Sequence, residues 1–226
     1  YYRGKRTKNL FNPATTTPFK LSRSKLELFV NCPHCFYVDR RLGVGHPPGF
    51  PFNINSAIDH LLKKEFDEYR QSGEPHPLMR DAGVDAIPCS HEKLDQWRTN
   101  FTGVQIHHKQ TNLLITGAID DLWVTRDASN HLVVDYKATS KNGSVTIDAP
   151  WQDSYKRQME IYQWLLRGNG LQVSDTAYFV YCNGKRGAHR FDGHLEFDIA
   201  VIPYVGTDDW IEATISEAYR CLVGVN

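Results

Sequence analysis

Residues 117–141, GAIDDLWVTRDASNHLVVDYKATSK, read as two extended runs joined by a polar turn. Both runs are rich in β-branched and aromatic residues, and RDASN between them has the composition of a reversing turn. The second run carries Val133 and Val134 and then sets Asp135 and Lys137 two residues apart. Residues two apart on a strand share a face, so the two charges point one way while Val134 and Tyr136 point the other. Charged side chains are depleted from strand interiors and costly to bury unpaired. Such a hairpin must either leave that face wet, where an Asp–Lys pair contributes only ~0–1 kcal/mol, or build a charged site on it.

Around the hairpin the chain alternates helical and extended patterns. LSRSKLELFVNCPHCFYVDRRLG predicts a helix capped near Ser22 and interrupted at Cys32-Pro33. GVGHPPGFPFN is an irregular connection. INSAIDHLLKKEFDEYR is the clearest helix, with Ile54, Ala57, Ile58, Leu61, Leu62, Phe66 and Tyr69 as its apolar stripe. Residues 73–92 read as loop, with a short helix over 92–98. Strands are expected at 103–109, 112–125 and 131–138, then a helix over 151–167 ended by Gly168. Two further strands, 173–183 and 191–204, precede a closing helix over 208–223. The expected fold is α/β, a mixed β-sheet flanked by helices in a single domain.

Composition narrows the function classes without choosing among them. With 226 residues, 41% hydrophobic and 23% charged, the chain has the makings of a globular core. Lys+Arg and Asp+Glu number 26 each, so net charge carries no nucleic-acid signature, although a local basic patch stays open. Arg3, Lys5, Arg6 and Lys8 read as a solvated basic extension over 1–20, ahead of the domain over 21–226. No apolar run approaches the ~18 residues needed to span a bilayer and no secretory leader is visible, so a cytoplasmic protein is expected. Five scattered cysteines fit reduced thiols better than a disulfide framework. Cys32, Cys35, Cys89 and His91 could supply four zinc ligands, but no second CxxC closes that pattern.

Asp120 lies on the preceding strand of the same hairpin and can reach the Asp135 pocket if the register permits. Two carboxylates offer the hard oxygen ligands that Mg²⁺ or Mn²⁺ takes, with positions left for water and phosphate. Lys137 beside them can hold the attacking water or stabilise charge at the phosphate. Gln158 and Tyr162 are four apart in YKRQMEIYQ, hence on one helix face. Together these are the parts of metal-assisted phosphodiester hydrolysis.

Gly-x-x-Asp, then a turn, then apolar–apolar-Asp-x-Lys, then Gln-x-x-x-Tyr, resembles the PD-(D/E)XK nuclease superfamily and in particular its RecB-like branch. The Cys-Pro opening, with its following aromatic, resembles that branch too. The likeness runs from about Leu21 to about Tyr162. It implies a restriction-endonuclease-like fold, divalent-metal cleavage of DNA in repair, recombination or CRISPR-type processing, and a helicase or CRISPR-type protein as partner. By matching position it implies Asp120 and Asp135 as metal ligands, the Tyr136 backbone carbonyl as a third, Lys137 as catalytic lysine, and Gln158 with Tyr162 as supports for the DNA. The branch's usual helix histidine has no clean match. Taking ~100° per residue, Asp59 lies about 110° from the centre of its helix's apolar stripe and His60 about 150°, which favours Asp59 as the further ligand. Lys141, Lys156 and Arg157 are candidate phosphate contacts, and Trp151 a candidate base-stacking residue. The alternative is a catalytically inactive nuclease-fold module that binds nucleic acid or a partner protein.

Overall fold

The computed structural model describes residues 5–47 and 53–224. In chain order the elements are β1 (Phe19–Ser22), α1 (Arg23–Asn31), α2 (Pro33–Arg41), α3 (Asn53–Ser72), α4 (Pro77–Asp81), β2 (Ala86–Pro88), α5 (Leu94–Trp97), β3 (Val104–His108), β4 (Leu113–Gly117), β5 (Asp121–Thr125), β6 (His131–Thr139), α6 (Asp153–Gly168), β7 (Thr176–Gly184), β8 (Phe197–Val205) and α7 (Ile211–Val223). The single mixed α/β domain agrees with expectation, but its strands divide between two sheets. Five strands run in the order β2-β5-β6-β7-β8, with only β6 and β7 parallel. A three-stranded sheet, β1-β4-β3, pairs β1 with β4 in parallel.

The expected strand over 112–125 is where the sheets part. It breaks into β4 and β5, and residues 118–120 carry the chain from one sheet to the other. Gly117 makes the crossing possible: a Cβ there would stand 2.7 Å from the Tyr162 ring, so only glycine admits the helix α6 this close. The turn that follows β5 is pinned by Asp127, whose carboxylate accepts from the Thr125 hydroxyl at 2.6 Å and the Ser129 amide at 3.0 Å.

Strand β6 sorts its side chains between two cores. Val133 joins a core with Met159, Ile161, Leu165 and Leu166 of α6, while Leu132, Val134 and Tyr136 join Leu62 and Phe66 of α3 on the other side. The α3 stripe is narrower than its sequence suggests. Leu62 and Phe66 are buried, but Ile54 and Leu61 are exposed, because the sheet covers only part of that face.

Other expectations change as well. The loop over 73–92 contains α4 and β2, and β8 begins at Phe197 rather than near 191. Cys32 and Cys35 form a disulfide: Cys32 caps α2 and Cys35 lies one turn on, with 5.2 Å between the Cα atoms. That pairing also removes both from a zinc site. The basic extension is anchored at two points, Arg6 pairing with Asp39 at 3.1 Å and Phe11 buried, while Lys5, Lys8 and residues 12–18 stay exposed as expected. Arg3 and residues 48–52 lie outside the described residues. No helix among the described residues is long and apolar enough to cross a membrane.

Candidate active site

Asp135 sits on the α6 side of β6 with no solvent exposure. Its Oδ1 accepts a 2.6 Å hydrogen bond from Gln158 Nε2, and the Lys137 ammonium lies against Oδ2. Helix periodicity places Tyr162 one turn beyond Gln158, whose amide also donates to the Tyr162 hydroxyl at 3.1 Å. The Lys137 ammonium rests 4.5 Å from the centre of the Tyr155 ring, a cation–π contact that fixes its long stem. Burial pushes the Asp135 carboxyl above its ordinary range and the Asp120 charge adds to this, while Lys137 opposes both.

Asp120 comes from the crossing segment. Its Oδ2 accepts the Tyr136 backbone N–H at 3.0 Å. An extended residue turns its N–H and C=O to the same edge, so the Tyr136 carbonyl faces the edge that Asp120 occupies. The hairpin and α6 thus bring Asp120, Asp135, Tyr136, Lys137, Gln158 and Tyr162 into one cluster.

The α3 candidates separate. His60 is exposed, whereas Asp59 is half-buried and turned toward the cluster. Asp59 reaches Asp120 through Lys63, whose ammonium lies 2.9 Å from Asp59 and 3.4 Å from Asp120 Oδ1. Burial raises the Asp59 carboxyl, with the Asp120 charge adding to it. Burial works against the Lys63 charge, yet the two carboxylates outweigh it and hold the ammonium more firmly protonated.

Behind this cluster lies a charge network that sequence reasoning missed. Asp121, with no exposure, receives Arg98 at 2.6 Å, the Arg70 guanidinium and the Tyr136 hydroxyl at 2.6 Å. Arg98 and Arg70 also share Asp67 at 2.9 Å, and Arg98 Nε donates to the Asp120 carbonyl at 3.1 Å. The network ties α3 and the end of α5 to the Asp120 crossing. Its sequence signal was the Asp120-Asp121 doublet: a strand sends neighbours to opposite faces, so the second aspartate needs partners of its own.

Two expected phosphate contacts are occupied otherwise. Arg157 is held by Glu27 through bonds of 2.7 and 3.0 Å, and Lys156 pairs with Asp153 at 3.5 Å. Lys141 is exposed beyond the end of β6 and lines a cavity of 740 Å³ together with Arg186, His189, Arg190 and His194. This cavity lies past the carboxylates, not over them. Trp151 is 62% exposed and sits edge-on to Tyr155, with ring centres 5.6 Å apart.

Among the described residues no three His, Cys, Asp or Glu side chains stand together as a ready metal cluster. The donor chemistry nevertheless fits a hard divalent ion. Asp135 Oδ2 and Asp59 Oδ1 are buried oxygens without a well-formed hydrogen bond, each facing only a lysine ammonium.

No curated protein matches the chain. A solved structure, "Crystal structure of SSO0001", aligns with 13% identity and a TM-score of 0.39, over 92% of this chain and 76% of that one. The family model of the PD-(D/E)XK nuclease superfamily matches residues 53–210, from the start of α3 to the residue before α7. That span contains the hairpin, the Asp120 crossing and the Gln158 helix, and the chain belongs to the PD-(D/E)XK nuclease superfamily.

Proposed function

We propose that this protein is a divalent-metal-dependent nuclease that hydrolyses phosphodiester bonds in DNA. The observation that supports it most is Asp135: a fully buried carboxylate held on one oxygen by Gln158 and on the other by Lys137. Burial makes its charge costly, and a costly charge kept inside a site of this composition supports a chemical role. Mg²⁺ or Mn²⁺, held by Asp120, Asp135 and the Tyr136 carbonyl, would supply Lewis-acid polarisation of the phosphate and a more acidic water. Lys137 orients the attacking water and balances charge as it builds at the phosphate. Gln158 keeps Asp135 from rotating, and Tyr162 keeps Gln158 in place. Trp151 offers a face for an unpaired base, and Lys141 a charge for the phosphates beyond β6. Asp59 approaches the pair through Lys63 and so belongs to the same acidic cluster.

Within the superfamily, the Cys32-Pro33 step and the Gln158–Tyr162 pair favour the RecB-like branch. With that go a role in repair, recombination or CRISPR-type processing, a helicase or CRISPR-type partner, and a cytoplasmic setting. The test is cleavage of end-labelled single- and double-stranded DNA with Mg²⁺, Mn²⁺ or EDTA, by wild type and Lys137→Ala. Cutting that needs the ion and is lost in the variant supports the nuclease. DNA retention without cutting by either ion supports the second reading, an inactive binding module, which draws on the lack of a three-ligand cluster among the described residues.

A further inference from the structure

The nuclease reading leaves Lys63 without a role. It stands one turn after Asp59 on α3, and its ammonium lies 2.9 Å from each Asp59 oxygen and 3.4 Å from Asp120 Oδ1. Two-metal hydrolytic sites hold their ions about 3.5–4 Å apart and share a carboxylate between them. Asp120 has the geometry of such a shared carboxylate: Oδ2 faces the Tyr136 edge beside Asp135, and Oδ1 faces Lys63 and Asp59. Resting on the nuclease reading, we propose that Lys63 fills with a fixed ammonium the seat a second divalent ion would take between Asp59 and Asp120, and so holds this site to one ion.

Charge balance agrees. Asp59, Asp120 and Asp135 bring three negative charges, and Lys63 with Lys137 brings two positive ones. The remainder is one negative charge, which a single divalent ion more than covers. A second ion beside Lys63 would place two cations on the same carboxylates at close range, a repulsion that grows as the local dielectric falls. The seat is also built for an ammonium. Lys63 is only 20% exposed, and the buried Asp59 Oδ1 has no hydrogen bond beyond its 2.9 Å ion pair with that ammonium. Removing the ammonium leaves two carboxylates facing each other, which is what a second hard cation requires.

The experiment is a calorimetric titration of the full chain with Mn²⁺, without nucleic acid, with free ion counted by electron paramagnetic resonance. Wild type takes up one ion, Lys63→Met takes up two, and Lys63→Met with Asp59→Asn returns to one because the second seat has lost its carboxylate. Lys64→Met, on the exposed neighbour, keeps one. Circular dichroism checks each fold, and Lys63→Gln replaces Lys63→Met if the latter unfolds. Two ions on wild type, or one on both wild type and a folded Lys63 variant, overturns the assignment and leaves the nuclease reading standing. No uptake by any variant overturns both.

Discussion

At the residue scale, the cost of the site is concentrated in Asp135 and Asp59. Both carboxyls are raised, chiefly by burial and then by Asp120. A group whose folded pKa exceeds its unfolded value contributes stability that is full below the unfolded value, and that contribution is lost as pH rises through the folded one. In EDTA, the melting temperature of wild type should therefore fall on going from about pH 5 to 8 more than that of Asp135→Asn, which has no proton to lose there. Scanning calorimetry at several pH values checks this, and equal slopes would count against it. Lys137→Ala should lower kcat by roughly 10²–10⁴-fold, the usual span for a positioned proton-handling group, and should also lower the melting temperature, because it strips the buried Asp135 of its ammonium partner. Steady-state cleavage kinetics on one labelled duplex measure the first part. The chemistry of these residues was open to a reading of the sequence, because Asp135 and Lys137 share a strand face by parity alone. Lys63 was not: its partner Asp120 lies 57 residues away.

At the element scale, the site depends on two approaches between elements. The first is the contact of α6 with the β4–β5 crossing, where Gly117 has no room for a side chain. Gly117→Ala should destabilise the fold by about 1–3 kcal/mol, as overpacked cores do, and should reduce cleavage by moving Tyr162 and Gln158. Urea denaturation followed by tryptophan fluorescence gives the number. The second is the pairing of α3 and α5 with the hairpin through Asp121. Asp121→Ala leaves Arg70 and Arg98 with Asp67 as their remaining carboxylate, and loss of one partner from a buried ion pair costs about 3–5 kcal/mol. A loss below 1 kcal/mol in the same assay would mean that the network is ornamental. Helices α3 and α6 and the hairpin were readable from periodicity. The break between β4 and β5 was not, because residues 112–125 keep an extended, apolar pattern through a change of sheet that only packing imposes.

For the whole molecule, the charge is neutral in sum and uneven in place. The cavity beyond β6 gathers Lys141, Arg186 and Arg190, with Glu196 and Asp198 tied to Lys185. If DNA runs from this cavity across Asp135, Lys141→Ala should weaken binding about equally for all sequences and reduce the salt slope of log K by about 1. Fluorescence anisotropy over a range of salt concentrations tests it, and an unchanged slope places the strand elsewhere.

What the sequence determined by itself was everything that repeats along the chain: a hairpin with two charges on one face, a helix with Gln158 and Tyr162 one turn apart, and the order of these parts. Periods of 2 and 3.6 residues are local properties of the backbone and survive in any fold that keeps the elements. Helix periodicity already favoured Asp59 over His60; the tertiary structure alone decided the division into two sheets, the bridge made by Lys63, and the arginines on Asp121. Each of these depends on distances between segments far apart in sequence, which are set by how apolar faces pack and leave no mark in any single window of residues.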